Sequence, residues 1–178
     1  MNWYIHWVTA SPILSAAIQF AILGTLGELL SHVLRSKSFS LPCTGLELLG
    51  KILAWGILGV IIKYGFVGMR GFVAALLEHH LLPPAFAGGV GWAFAMSANT
   101  NIFFGPVMMF IHRVEDNLIA RRWNTAGLTK AWWTLIWFWI PAHTVTFSLP
   151  KDYQIGLAAL WSVVLGLIMG LSAPKKTR

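Results

Sequence analysis

Five hydrophobic stretches divide this chain, and the basic residues collect in every second connection between them. The stretches cover residues 12–34, 46–76, 86–111, 131–149 and 153–172. Each is close to or above the ~20 residues a helix needs to cross a bilayer core. Arg35, Lys37 and Lys51 follow the first stretch, Arg113, Arg121, Arg122 and Lys130 follow the third, and Lys175, Lys176 and Arg178 close the chain. The segment before Pro12 and the turn at 79–85 carry no Lys or Arg, and the turn after the fourth stretch carries only Lys151. Cytoplasmic flanks collect Lys and Arg, so this asymmetry predicts an outside N-terminus and an inside C-terminus. The expected fold is an all-α integral membrane protein: one domain over residues 1–178, a bundle of about five transmembrane helices.

Composition supports the class. Charged residues make up 11% of the chain and hydrophobic ones 57%, whereas a soluble domain carries about 25% charged residues. A net charge of +7 would suggest nucleic acid in a soluble protein, but here the cations flank the spans and report topology. The expected partner is therefore the lipid bilayer, with no nucleic acid. The expected location is a bacterial inner (cytoplasmic) membrane, with an organellar inner membrane as the alternative. The lone Cys43 excludes an internal disulfide framework and a cysteine metal site. The N-terminus lacks the basic region of a cleavable signal peptide, and Trp3, Tyr4 and Trp7 suit an interfacial anchor instead.

Thr9 or Ser11 is placed to cap the first span, with Pro12 in its first turn, and Gly24 and Gly27 leave a face open to a close neighbour. The second stretch is too long for one straight span, and Gly65, Gly68 and Gly71 predict a bend or break between Lys63 and Gly71. Pro83-Pro84 is expected to end it. Gly105-Pro106 predicts a kink late in the third span, and Pro141 another in the fourth, freeing the Trp137 carbonyl for some other donor. Trp3, Trp7, Trp123, Trp132 and Trp133 fit an interfacial belt, while Trp55, Trp137, Trp139 and Trp161 are expected to pack deeper.

Several intramembrane polar residues stand out. Glu28 and His32 share one helical face, and an ionisable pair within a span turns toward the bundle interior. They read either as a pore or relay element or as a structural hydrogen bond. Lys63 and Arg70 share a face of the second helix and either line a polar path or snorkel to the interface. Glu28 is the expected partner of whichever of them is buried. Asn99 and Asn101 either bond neighbouring helices or line a cavity. The candidate polar path is thus Glu28, His32, Lys63, Arg70, Asn99 and Asn101. His112, Arg113, Glu115 and Asp116 read as an interfacial salt-bridge cluster or as a gate. Glu78-His79-His80 lacks the spacing of a metal site, since adjacent helical residues diverge by about 100°. His143 is the one weak candidate for cofactor binding, as an axial ligand to haem or a chlorophyll-type pigment. Its expected role is hydrogen bonding, because Trp139 and Phe147 crowd the same face. No cofactor or metal is expected, apart from lipid.

Short motifs resemble the Mpv17/PMP22 family of small integral membrane proteins, in its bacterial form. Pro12 followed by Gly27-Glu28, Ser31 and His32 is similar to that family's proline and Gly-Asp-x-x-Ser/Ala-Gln element, with Glu28 for the acid and His32 for the glutamine. Gly105-Pro106 and Asp116 keep the spacing of its Gly-Pro to Asp motif, whereas Met109, Ile111 and His112 replace its His, Trp and Tyr. Trp139-Ile-Pro141, Phe147, Pro150 and Trp161 resemble its tail with altered spacing. The resemblance implies a membrane protein that forms a small solute channel, and it carries no reaction with it.

The chain shows no nucleophile-and-base set, metal-spaced cluster or phosphate loop, so it reads as non-enzymatic. Two functions remain open: a small solute channel, alone or as a homo-oligomer, or a structural accessory subunit of a larger respiratory or photosynthetic membrane complex. They differ in where the polar faces point. A channel brings them together on a wetted cavity; an accessory subunit satisfies them pairwise.

Overall fold

The computed structural model describes residues 2–171. The described chain is helical with no strands. Lys175, Lys176 and Arg178, part of the charge asymmetry, lie outside the described residues.

A short helix, α1 (Asn2–Ala10), precedes α2 (Pro12–Ser36). Pro12 sits at the start of α2 as its fixed φ and missing N–H favour, but neither expected cap forms. Ser11 makes no side-chain cap bond, and the Thr9 hydroxyl donates to carbonyls of its own helix, Ile5 at 2.7 Å and His6 at 3.1 Å. The Tyr4 hydroxyl donates to Gln19 Oε1 at 2.9 Å, and its ring stacks on Tyr153, which pins α1 to α2 and α8 (Lys151–Leu171). Burial, and then the nearby Tyr153 and Asp152, hold the Tyr4 phenol above its ordinary range.

The expected break in the second helix does not occur. α3 runs unbroken over Gly45–Glu78, about 51 Å at 1.5 Å per residue, so its excess length is carried as tilt or projection. A glycine lowers helix propensity but keeps its N–H, so the hydrogen-bond ladder continues where a proline would interrupt it. Gly65 has a packing role: the Phe104 ring occupies the space its side chain would fill. α3 opens on a reciprocal cap, in which Thr44 Oγ1 accepts from the Glu47 backbone and the Glu47 carboxylate accepts from Thr44 N–H at 2.7 Å. It ends five residues before Pro83. His80 takes a left-handed φ of 57°, Leu81 N–H bonds the Leu76 carbonyl and His80 N–H bonds Leu77, so a Schellman turn stops the helix.

Both expected kinks take one form. The third stretch is α4 (Gly89–Asn99), a π turn at Thr100–Phe104, and α5 (Gly105–Ile119). The fourth is α6 (Leu128–Thr134), a π turn at Leu135–Trp139, and α7 (Ile140–Ser148). Each π turn ends two residues before a proline, Pro106 and Pro141. A proline ring cannot donate to the carbonyl four residues back and collides with it, and the wider π turn makes that room. Two side-chain hydrogen bonds beside Pro141 go to the Ile140 carbonyl, from Ser97 Oγ at 2.6 Å and Thr144 Oγ1 at 2.7 Å, and Thr146 Oγ1 donates to the Ala142 carbonyl at 3.0 Å. Among the described residues no side chain bonds the Trp137 carbonyl.

α2 lies between α8 and α3, and α4 packs on α7. As the paired glycines predict, α2 approaches its neighbours closely: Gly24 leaves room for the Trp55 ring, and Gly27 lies against the Ser162 backbone of α8. The core is rich in small residues, including Ala16, Ala93, Ala95, Ala158 and Ala159, with Phe20, Phe66, Met96 and Phe147 between them. Leu46, Leu49, Leu53, Ile57, Tyr64 and Val67 form an exposed stripe at helical spacing along α3, each more than half exposed. Such a stripe is suited to lipid. Among the described residues, three helical runs are long and apolar enough to cross a membrane: Pro12–Ser36, Gly45–Glu78 and Gly89–Ile119. Trp137, expected to be deep, is 52% exposed and faces outward with Trp132 and Trp133.

Candidate functional site

Local structure brings one ion cluster together at the Arg35 end of α2. Gly24 lets the Trp55 indole lie across α2, and one turn later Glu28 meets it: Trp55 Nε1–H donates to Glu28 Oε1 at 2.7 Å. Lys51, one turn before Trp55, donates to Glu28 Oε2 at 2.6 Å and to Asp116 Oδ1 of α5 at 3.3 Å. His112, one turn before Asp116, places Nε2 3.9 Å from Glu28 Oε1, and its ring lies 4.6 Å from Trp55. Three helices are tied by one ammonium and two carboxylates. These side chains are only 20–28% exposed, so the pairing is strengthened by partial exclusion of water.

The partner of Glu28 is therefore Lys51. The expected His32, Lys63 and Arg70 are not its partners, and His32 Nε2 is buried without a hydrogen bond. A cation five residues into the second stretch reads as a topology signal; nothing in one sequence shows that α3 aligns Lys51 with Glu28. Glu28, His112 and Asp116 each offer a metal-ligand atom within 4.8 Å of the others. Lys51 Nζ already sits between the two carboxylates, which makes the trio an ammonium site.

The remaining path candidates separate. Arg70 donates through Nη2 to Gln154 Oε1 of α8 at 2.8 Å. Lys63 has no hydrogen-bond or ion-pair partner among the described residues. Asn99 donates back to the Ala95 carbonyl at 2.8 Å, a local bond. Asn101 is 3% exposed, donates to the Ser97 carbonyl at 2.8 Å, and brings its amide nitrogen 3.1 Å from His143 Nδ1. Of the six, only Asn101 lines the cavity enclosed by the two π turns.

That cavity measures about 100 Å³ and lies between the two π turns. Thr100, Asn101, Phe104 and Gly105 line it from one side, and Leu135, Trp139 and His143 from the other. Trp55 and His112 also line it and connect it to the ion cluster. Three of its lining residues hold a buried polar atom without a hydrogen-bond partner: Thr100 Oγ1, Trp139 Nε1 and His112 Nδ1. His143 packs between Phe66, Trp139 and Phe147, with ring centroids 5.5, 5.0 and 5.9 Å away, the crowding its neighbours predicted. Thr100, Trp139 and His112 were not on the predicted path. The sequence signal that could have found Thr100 and Trp139 is the proline after each π segment, which marks where the backbone must widen; His112 stood out only as a member of the interfacial cluster.

Comparisons with protein-family models, with curated proteins and with solved structures give no match.

Proposed function

We propose that this chain is a non-enzymatic integral membrane protein of five spans, N-terminus outside and C-terminus inside, that gives a small solute a site within the bilayer. The carrying observation is the cavity between the π turns, with three unpartnered buried polar atoms on residues that line it. A buried polar atom without a partner is costly, and natural proteins accept that cost chiefly where a ligand or water supplies the bond. Two π turns on one cavity strengthen the reading, since π turns gather at functional sites. The Glu28–Lys51–Asp116 cluster closes the end of this path beyond Trp55 and His112. The reading agrees with the channel function that the resemblance to the Mpv17/PMP22 family implies, in a bacterial inner membrane.

Entry of small uncharged solutes into proteoliposomes, followed by light scattering, tests it. Water, urea and glycerol form the series. At least one should enter faster than into protein-free vesicles, and equal rates for all three would remove the reading.

A specific observation favours the second function, an accessory subunit of a larger membrane complex: Glu28, Arg70 and Asn99 are each satisfied by their own bonds. Purification in mild detergent with a stoichiometric larger assembly would support it.

A further inference from the structure

We propose that the groove between the start of α3 and the end of α5 binds one anionic phospholipid, with an acyl chain along its leucines and the phosphate on Arg121 and Arg122. This goes beyond the solute reading and does not depend on it; it needs only that the chain lies in a bilayer. The groove measures about 520 Å³ and lies open along the surface. Leu46, Leu49 and Leu53 line one side, at the three- and four-residue spacing that keeps to one helical face over about 10 Å. Leu118 and Ile119 line the other. Leu46, Leu49, Leu53 and Leu118 are each more than half exposed, so they turn outward and not into the bundle. Gly50 lets the two helices close beneath them, since a Cβ there would lie 3.2 Å from the Ile119 side chain. An aliphatic chain suits such a trough.

The polar end recognises the headgroup. Just past α5, Arg121 takes a left-handed φ of 50°, its N–H donates to the Leu118 carbonyl at 3.3 Å, and Arg122 N–H donates to the Asn117 carbonyl at 3.1 Å. The buried Asn117 side chain steadies the loop beyond, accepting from Asn124 N–H at 3.1 Å. Arg121 lines the groove and Arg122 follows it; both are exposed, and neither has an ion-pair partner among the described residues. Two guanidiniums on a held backbone match a phosphodiester, whose oxygens take paired N–H donors. Trp123 comes next and is 68% exposed, as suits a residue at headgroup depth. Glu47 is the acid on the wall, and its Oε2 is engaged in its own cap, by Thr44 N–H at 2.7 Å and Thr44 Oγ1 at 2.9 Å. Two arginines against one carboxylate leave a net positive charge, which favours an anionic headgroup over a zwitterionic one.

Native mass spectrometry of the full chain in mild detergent tests this, with palmitoyl-oleoyl phosphatidylglycerol and the phosphatidylcholine of the same chains as probes. One phosphatidylglycerol should bind about ten-fold more tightly than phosphatidylcholine, as cations near an anionic headgroup imply. Arg121→Gln/Arg122→Gln should remove that preference. Lys130→Gln, in the same basic loop but off the groove, should keep it. Leu49→Trp fills the trough and should weaken both lipids several-fold with the arginines intact. All four positions are exposed, so these changes leave the packed core alone. Equal binding of the two lipids, or a preference that survives in the arginine variant, overturns the headgroup contact. Binding unchanged in Leu49→Trp would mean a surface charge patch only, and a lipid-free dimer lost in Leu49→Trp would put a second copy in the groove; either overturns the proposal.

Discussion

Lys51 Nζ lies 2.6 Å from Glu28 Oε2, which joins two helices through residues 23 apart in sequence, and the same ammonium reaches Asp116 at 3.3 Å. Removing one member of such a cluster leaves a charge without its counterion in a poorly hydrated place. Lys51→Met should cost about 1–3 kcal/mol of stability, less than breaking a fully buried pair, because both side chains keep some exposure. The double variant Glu28→Gln/Lys51→Met should recover part of the loss. Unfolding in detergent, read as a double-mutant cycle, gives the coupling. An additive double variant would contradict the pairing.

Much of the fold was legible because its signals are local. Apolar length located all five helical stretches, Gly24 and Gly27 located the close face of α2, and Pro106 and Pro141 located the two distortions. The unbroken α3 was not legible, because glycines weaken a helix without removing a donor and packing then decides the outcome. The site was less legible for a different reason. Glu28, Lys51 and Asp116 meet across three helices, and their mutual register depends on packing between helices that periodicity does not encode. Asn101 and His143 were each noticed, but not their pairing.

Packing at α2 predicts a contrast between two glycines. A Cβ on Gly27 would lie 2.5 Å from the Ser162 carbonyl oxygen, backbone that cannot turn aside, whereas one on Gly68 meets nothing within 4 Å. Gly27→Ala should destabilise by about 1–3 kcal/mol. Gly68→Ala should be neutral or stabilise by up to about 1 kcal/mol through helix propensity. Thermal unfolding of the two variants measures the difference, and equal effects would count against the α2–α8 contact.

Orientation is tested with single cysteines in a Cys43→Ser background. Ser38→Cys, in the basic first loop, should be labelled by an impermeant reagent only from the inner side, and Leu81→Cys only from the outer side. Labelling of both from one side would refute the proposed crossing of α3.

Cys43 itself offers a pH test. Burial raises its thiol pKa, outweighing the lowering by Lys51. A raised pKa leaves less thiolate at a given pH, so alkylation near pH 8 should be slower than for a free cysteine. The rate should also keep rising to higher pH. A rate that levels off below pH 8.5 would contradict this environment.

The central claim is that a solute reaches the cavity between the π turns, and reagent access to Thr100 tests it most directly. Thr100→Cys in the Cys43→Ser background places a thiol on the cavity wall, and Ile102→Cys, at a position 58% exposed on the outer surface, is the lipid-facing control. A small water-soluble methanethiosulfonate should modify Thr100→Cys in intact proteoliposomes while sparing Ile102→Cys. Modification of neither site, with both thiols reactive once the protein is unfolded, would contradict a solute site within the bilayer.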